Sequence, residues 1–525
     1  MSVIEAVYAL AGDRSEAEAL AEKVALEQSV EVPRSVAEGA GIPEGTIGEV
    51  LGVEEVDGVF RARVGYADWL ASGRPSQVLN LLGGNCSMLP GVRLVDVSLP
   101  DELIDRFGGP VFGIRGLREA LGVPERPLLC SAIKPRGLDD EGLAAVAAAM
   151  ARGGCDLIKD DHNLVDADAE SFARRIGVIQ RAVVEASERT GRACWYLPYL
   201  SVGPAEWAPY LAAIRRAGIR GVLVSPMLVG FDAIWHLRKT SGLLLMAHPT
   251  LAGGPLLGPD HGIDPGVLLG TMTRLVGADA SIFPNAGGRF ALSQATCLGL
   301  ADALRGELTG SREVAGSWPT PAGGMSVERL DEQADLYGSD TCWLVGGAML
   351  SHADGIEAGA AELRAALVER FGDRRSEVAE RVSACELAGE LAGAAEARTV
   401  LKRLAAGWEG RGAVAYKADD ALPFAGVKRF ELMGKAGEPM GFDVRYFELE
   451  PGGYTSLERH RHVHAIIAAE GEGEVEIGGE VTGLGPQDLA YIPPERVHQL
   501  RNVSATERFG FYCIVDRERD RPRTP

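Results

Sequence analysis

The sequence predicts an α/β protein built in series from an N-terminal α+β domain, a parallel (β/α)8 barrel and a small all-β barrel, and three observations lead there. Short apolar runs recur between amphipathic Ala/Arg/Glu-rich stretches from about Leu128 to about residue 370, the pattern of buried strands alternating with half-buried helices. The residues before that stretch mix strand-like and helical patterns without its regularity. Beyond Gly410 the texture changes to short alternating strands broken by Gly and Pro. The boundaries expected on this basis are 1–118 for the α+β domain, 119–372 for the barrel, 373–410 for a helical extension or linker, and 411–525 for the β-domain.

In order, the barrel strands are the runs PLLCSAI, CDLI, ACWYLPYL, GVLVSP, LLLMAH, ASIFP, SWPTP and TCWLV. Eight strand-then-helix units in about 240 residues match a (β/α)8 barrel, whose chemistry sits in the loops after the C-terminal ends of the strands. An open doubly wound sheet is the alternative. From Ile356 to Gly407 the segments AAELRAALVERF and RTVLKRLAAGW have few helix breakers and predict consecutive helices closing the barrel. The β-domain is read from FDVRYFELEPGG, HAIIAAEGEGEVEIGGEVTGLGPQDLAYIPP and FGFYCIVD.

Composition narrows the function classes. The 525 residues are 46% apolar, enough for real cores, and 53 basic against 74 acidic side chains give a net charge of −21. That charge, without a basic patch, argues against binding nucleic acid or an anionic membrane surface. Apolar runs such as Leu243 to Ala247 fall far short of the roughly 20 residues of a membrane span. The N-terminus is acidic from Glu5 onward and lacks the pattern of a secretory signal, so a cytoplasmic location is expected. The eight cysteines are scattered with no C-x-x-C pair, as suits reduced, mostly buried thiols.

The residues that end the strands point into the pocket above the barrel. Strand one ends at Lys134 in IKPRG, strand two at Lys159 in IKDDH, strand five at His248 in MAHP, and strand six runs into Asn285 and Arg289 in FPNAGGR. Lys159, Asp160, Asp161 and His162 put an amine, two carboxylates and an imidazole after one apolar strand, where a hard divalent cation such as Mg2+ could be held. An ammonium cannot ligate a cation, so a metal-binding Lys159 would have to be carbamylated by CO2. The plainer alternative is a Lys–Asp ion pair. Strands seven and eight end in Gly323-Gly324 and Gly346-Gly347, at the loops where such barrels commonly bind phosphate through backbone N–H groups. With Lys134, Arg136 and Arg289 as counter-charges, the pocket suits a small phosphorylated anion.

IKPRG, GGCDLIKDDHNL, the glycine-pair loops and GGNCS together resemble the ribulose-bisphosphate carboxylase large chain, and more closely its non-carboxylating relatives, the RuBisCO-like proteins, over about residues 20 to 390. The resemblance implies that Lys134 is an acid/base near the reacting carbons, that Lys159 is the carbamylated lysine, and that Asp161 and His162 stand at the two carboxylate metal-ligand positions. It makes His248 an active-site histidine and sets Ala322, Gly323, Gly324, Gly346 and Gly347 on the phosphate loops. It also implies a homodimer in which Glu27 and Asn85 complete the neighbouring subunit's pocket. The departures count equally. The family's KPK is Lys134-Pro135-Arg136, a metal-binding glutamate is replaced by His162, the mobile-loop lysine has no counterpart beside Arg289, and Ile282 or Phe283 stands where a second histidine belongs. Carboxylation is therefore not expected, while enolisation is. Decarboxylation of a 3-oxo-isoapionate-4-phosphate type of sugar acid is the first choice, and isomerisation of a 5-methylthio-pentulose phosphate the second.

Four of nine histidines lie between residues 460 and 498, and Glu458, His460, His462 and His464, spaced by two, would face one side of a strand. In a small barrel that side is the interior, and a row of interior imidazoles points to metal. Gly452, Glu458-x-His460, His464 and Gly471 resemble the first cupin motif with the usual glutamate and one histidine exchanged. Asp488, Pro493, His498 and Asn502 resemble the second, with Glu495 where glycine is common. Glu458, His460, His464 and His498 are the expected ligands of iron, manganese, nickel or zinc, with His462 an alternative. The cupin would process a metabolite related to the barrel's, or act as a sensor gating it.

Overall fold

In a computed structural model the chain divides into two units, Met1–Ala384 and Cys385–Pro525, treated separately below. The structure describes residues 2–256, 258, 260–288, 290, 292–308, 310, 313–372, 403–404, 407–408, 413–414, 416, 423–434 and 442–516.

Alternate residues of β1 (Val3–Leu10) are buried, namely Ile4, Ala6, Tyr8 and Leu10, so this strand lays one face on a core. It pairs antiparallel with β3 (Val59–Ala67) and β4 (Val92–Ser98), and β2 (Glu49–Val56) continues the sheet from β3. Helix Arg14–Glu27 buries Ala17, Ala21, Val24 and Ala25, and Asp13 and Glu16 close a reciprocal cap at its start. The fifth strand comes from far along the chain: β10 (Gly262–Ile263) pairs parallel with β4.

The eight expected barrel strands are all present, as β5 (Leu128–Ile133), β6 (Leu157–Asp160), β7 (Trp195–Leu197), β8 (Gly221–Val224), β9 (Leu244–Ala247), β11 (Ala280–Pro284), β12 (Trp318–Ala322) and β13 (Cys342–Leu344). They are parallel in the order β7-β6-β5-β13-β12-β11-β9-β8, and a bridge between Tyr199 and Leu223 brings the two end strands together. Nearly every strand residue is buried because helices cover the outside and side chains fill the inside, which is why these runs read as continuously apolar. Helix Gly113–Leu121 runs across the expected boundary at 118 and packs Leu117 and Leu121 against that interior from the strand-start end. Asp279, before β11, accepts hydrogen bonds from the backbone N–H groups of Phe112, Gly113 and Leu245 there.

Helix Ile356–Phe371 follows β13 as expected. Most of the further helical stretch expected up to Gly407 lies outside the described residues. Its end differs from expectation: β14 (Arg403–Leu404) and β15 (Gly407–Trp408) form an antiparallel pair, where RLAAGW had suggested helix. Arg403 donates to Glu448 and Glu470, tertiary ion pairs that local propensity does not register.

The second unit is all-β. After β16 (Ala413–Val414) come β17 (Ala425–Met433), β18 (Phe442–Tyr454), β19 (His464–Glu470), β20 (Gly473–Ile477), β21 (Glu480–Leu484), β22 (Leu489–Ile492), β23 (His498–Asn502) and β24 (Phe509–Asp516). The main path is β21-β20-β23-β18-β24-β19-β22, with β17 on β18. Phe447, Leu449, Ile466, Ile492, Leu500, Phe509 and Phe511 are among the side chains of its core. Among the described residues no helix is long and apolar enough to cross a membrane.

Candidate functional site

At the barrel mouth the strand ends bring together five of the expected residues. Lys134 follows β5 and its Nζ lies 2.9 Å from Asp161 Oδ2. Lys159 points inward from β6, 3% exposed, and its Nζ donates to the Asp160 carbonyl at 3.1 Å. His162 lies 3.4 Å from Asp161 through Nδ1, and its ring stacks on His248 at 4.2 Å between centroids. The ion pair of this cluster joins Lys134 to Asp161, whereas Lys159, for which the sequence offered a Lys–Asp pair as the plainer alternative, makes its hydrogen bond to a backbone carbonyl.

Electrostatics follow from this packing. Burial would raise the Asp161 carboxyl, but the hydrogen bonds from Lys134 and the Asn163 N–H hold it down at about 2. Burial lowers Lys159 from its ordinary value, which favours the neutral amine, the form that attacks CO2. Burial also lowers His162 and, with the charge of Lys159, takes His248 down to about 2. Neutral His248 has a defined tautomer. Its Nδ1 accepts from the Thr250 N–H at 3.1 Å and lies 2.7 Å from Thr250 Oγ1, so the ring proton sits on Nε2.

Other expected residues are placed differently. Asn285 is fully buried: its Nδ2 donates to Gln333 at 2.9 Å and contacts Met325 Sδ at 3.2 Å, while its Oδ1 accepts from Tyr337 at 2.6 Å. Both ends of the amide are used inside the protein, which corrects the expectation that Asn285 binds substrate. Arg136 is exposed, and Arg289 lies outside the described residues. Gly323 and Gly324 have φ of 97° and 69°, the left-handed region, and an added Cβ on Gly346 or Gly347 would touch nothing within 4 Å. In the N-terminal domain Asn85 Nδ2 donates to Glu27 at 3.0 Å and to Glu31 at 2.6 Å.

Sequence reasoning missed several supports. Asp160 is fully buried, accepts from Tyr196 at 2.7 Å, Arg175 at 2.8 Å and the Tyr199 N–H at 3.0 Å, and so anchors the strand that carries Lys159 and Asp161. Arg329 donates to the carbonyls of Gly324 at 3.1 Å and Ala286 at 3.4 Å, tying together the loops after β11 and β12. An arginine inside a long helix such as Ala169–Thr190 carries no local mark of such a role, although the doubled aspartate of KDDH hinted at one.

A divalent ion in the barrel could draw on Asp161 and His162 as donors, and the set would suit Mg2+ only if Lys159 were a carbamate.

In the second unit His460, His464 and His498 are buried and present nitrogens all within 4.8 Å of one another. Residues 460–463 form a loop, not the strand expected from the spacing by two; β19 starts at His464. That loop lets the rings of His460 and His462 stack at 3.6 Å, closer than same-face neighbours two apart on a strand, about 6–7 Å. His460 Nδ1 lies 2.8 Å from the His462 carbonyl and His498 Nδ1 lies 2.9 Å from that of Arg496. A carbonyl only accepts, so both rings carry their proton on Nδ1 and have their lone pair on Nε2. His464 Nε2 is buried without a hydrogen-bond partner, and burial together with the neighbouring imidazoles drives its pKa far down. These donors fit a transition metal. Glu458 is close in sequence, its backbone pairs with His498, but its carboxylate does not join the group and accepts from Ser456 Oγ at 2.5 Å. Glu495 takes a left-handed φ of 59°, the conformation that explains why glycine suits that position.

Comparison with known proteins agrees with both halves. Residues 113–397 match the model of the ribulose bisphosphate carboxylase large chain, catalytic domain, and residues 445–515 that of the cupin domain. The chain is 41% identical to ribulose bisphosphate carboxylase-like protein 1 of Rhodopseudomonas palustris, over 66% of this chain and 92% of that one. It is 38% identical to 5-methylthioribulose-1-phosphate isomerase of Rhodospirillum rubrum, over 67% and 92%. A crystal structure of a Rubisco-like protein from Rhodopseudomonas palustris matches with a TM-score of 0.63 at 38% identity, covering 70% of this chain and 98% of the other.

Proposed function

Because this chain belongs to the ribulose-bisphosphate carboxylase large-chain family, with RuBisCO-like proteins as relatives and a cupin domain at its C-terminal side, we propose that its barrel is a non-carboxylating isomerase of a 5-methylthio-pentulose phosphate. The cupin domain in this proposal is a metal-dependent enzyme acting on the product. The observation that supports it most is the set at the barrel mouth: Lys134 held by Asp161, beside a neutral imidazole, His248, whose Nε2 carries a proton. Enolisation needs those two things, a group that moves a proton and a donor for the oxygen that gains charge. The 38% identity to a relative named 5-methylthioribulose-1-phosphate isomerase supports taking isomerisation before decarboxylation of a 3-oxo-isoapionate-4-phosphate type acid, the reverse of the order drawn from sequence alone.

In this scheme Lys134, once it has released its own proton to solvent, takes the C–H proton next to the ketone and delivers a proton to the former carbonyl carbon, while the hydroxyl proton passes to the former carbonyl oxygen. The carbonyl moves by one carbon and no atom is gained or lost. His248 Nε2–H donates to the oxygen that becomes negative, and Asp161 keeps Lys134 in place. Gly323, Gly324, Gly346 and Gly347, with Arg136 and Arg289, hold the phosphate. Mg2+ bound by carbamylated Lys159, Asp161 and His162 would stabilise charge on the enediolate oxygens. Glu27 and Asn85 would line the pocket of a second copy, in a cytoplasmic homodimer.

The test is incubation of the protein in D2O with Mg2+ and bicarbonate against 5-methylthioribulose 1-phosphate and 3-oxo sugar-acid phosphates, followed by NMR. Isomerised product with deuterium at carbon and no CO2 is expected; CO2 release from a sugar acid would make the barrel a decarboxylase instead. For the cupin, His498→Ala should abolish consumption of the isomerised product, and unchanged consumption would reduce that domain to a sensor.

A further inference from the structure

The proposed phosphate grip uses the glycine pairs after β12 and β13. Resting on that proposal, we infer that the segment after β11 is a further wall of the grip, with Gly287 as an added phosphate contact, and that Arg329, Gln333 and Tyr337 are the positioning residues that hold this segment in place. The three side chains share one face. Helix Leu330–Tyr337 follows the loop after β12 and Arg329 stands at its start, so residues 329, 333 and 337, four apart, lie one above another along it. All three reach across to the two residues that follow β11. Gln333 Oε1 accepts from Asn285 Nδ2 at 2.9 Å, the Tyr337 hydroxyl donates to Asn285 Oδ1 at 2.6 Å, and both Nη groups of Arg329 donate to the Ala286 carbonyl at 3.4 Å. Glu332 fixes the guanidinium through Nε and Nη2 at 2.9 and 2.8 Å. Asn285, Gln333 and Tyr337 are fully buried, so water does not compete for these bonds.

The same clamp fixes the glycine pair after β12. The Asn285 N–H donates to the Ala322 carbonyl at 3.0 Å and its side-chain amide contacts Met325 Sδ at 3.2 Å, so Asn285 holds both residues that flank Gly323-Gly324. Arg329 adds a bond to the Gly324 carbonyl at 3.1 Å. The two loops lie backbone against backbone: a Cβ built on Gly288 would come 3.4 Å from the Gly323 carbonyl oxygen, and one on Gly324 would come 3.5 Å from that of Gly287. Gly287, Gly323 and Gly324 all have left-handed φ, 76°, 97° and 69°, and their N–H groups donate to nothing among the described residues. Neighbouring backbone N–H groups in such turns form a concavity for an anion. A phosphate held by main-chain donors depends on where the loops sit, and the 329, 333, 337 face decides that.

The test compares the full-length wild type with Arg329→Met, Gln333→Met and Tyr337→Phe in two assays, isomerase kinetics on 5-methylthioribulose 1-phosphate and calorimetric binding of inorganic phosphate. Each variant should raise both KM and the phosphate Kd about three- to tenfold, the effect of one or two lost hydrogen bonds, with kcat changed by less than about twofold. Arg329→Lys, still able to reach one carbonyl, should recover part of the loss, and Gly287→Ala should weaken phosphate binding as Gly324→Ala does. Thermal unfolding checks that each variant is folded, and Arg329→Met, at a side chain 28% exposed, keeps the test open if the buried replacements fail to fold. Wild-type KM and Kd in the folded variants, or a kcat that falls while KM stays, would overturn the inference; so would a wild type that binds no phosphate. Phosphate binding that weakens in the variants of a protein without isomerase turnover would uphold this inference and remove the isomerase reading, which separates the two failures.

Discussion

The two candidate sites are built on opposite plans. At the barrel mouth charges answer one another, Lys134 with Asp161, and the imidazoles of His162 and His248 lie face to face in neutral form. In the cupin domain three buried imidazoles converge, while the neighbouring carboxylate of Glu458 bonds to Ser456. In the first the buried carboxylate is answered by a lysine of the protein itself. The second gathers lone pairs that repel each other until a cation draws on them, so the fold carries a cost there that ligand binding offsets.

The largest test of this contrast is removal of metal. Chelation with Mg2+ kept in excess should lower the unfolding free energy of the cupin domain by about 4 kcal/mol if the metal had stood a thousandfold above its Kd, and leave the barrel's calorimetric transition in place. His464→Ala should copy that result without chelator, and a cupin transition that ignores metal would erase the difference between the sites. In the barrel the sensitive quantity is rate. Lys134→Met should cut isomerase kcat by about 10²–10⁴ while costing at most about 1 kcal/mol of stability, because this side chain is 43% exposed and its ion pair is screened.

Acid sharpens the same comparison. Asp161 is depressed from 3.8 to about 2, so the unfolded chain takes up its proton first, and the stability it contributes is fully present above about pH 4 and lost as pH falls toward 2. Asp279 behaves in reverse: burial outweighs its three backbone donors and raises it to about 6, so stability declines as pH climbs from about 4 to 6. Urea titrations between pH 2 and 7 should show the first slope vanish in Asp161→Asn while the second persists. The smallest effect is expected from Gly324→Ala. Its φ of 69° disfavours a side chain, and the new Cβ would sit 2.7 Å from Arg329 Nη1, so about 1 kcal/mol and a raised KM for the phosphorylated substrate should be found by calorimetry and kinetics.

What could be read from sequence divides along physical lines. All eight barrel strands were legible because each is buried on both faces and its apolar run says so without reference to anything distant. The residues ending them were legible for the same reason, since the last position of a buried strand has a fixed direction. The histidine triad showed through density of residue type. Asn285 misled because a polar residue after a strand looks alike whether it faces the pocket or, as here, Gln333 and Tyr337. The hydrogen bond from Ser456 to Glu458, with the Tyr416 hydroxyl beyond it, was not legible because the motif records order along the chain and Ser456 and Tyr416 stand 40 residues apart. Strand β10 is two residues long and carries no pattern at all; only its pairing with β4 defines it.

That short strand bears on how the molecule is made. The edge of the N-terminal sheet at β4 is completed by Gly262 and Ile263, and Arg93 on β4 donates to the carbonyls of Gly258 and His261 in the same excursion. A ribosome delivers β4 long before it delivers β10, with five strands of the barrel emerging in between. Until residue 263 is synthesised the first sheet keeps an unpaired edge, so the nascent N-terminal domain passes through an interval in which a chaperone, or another nascent chain, has a strand to grip.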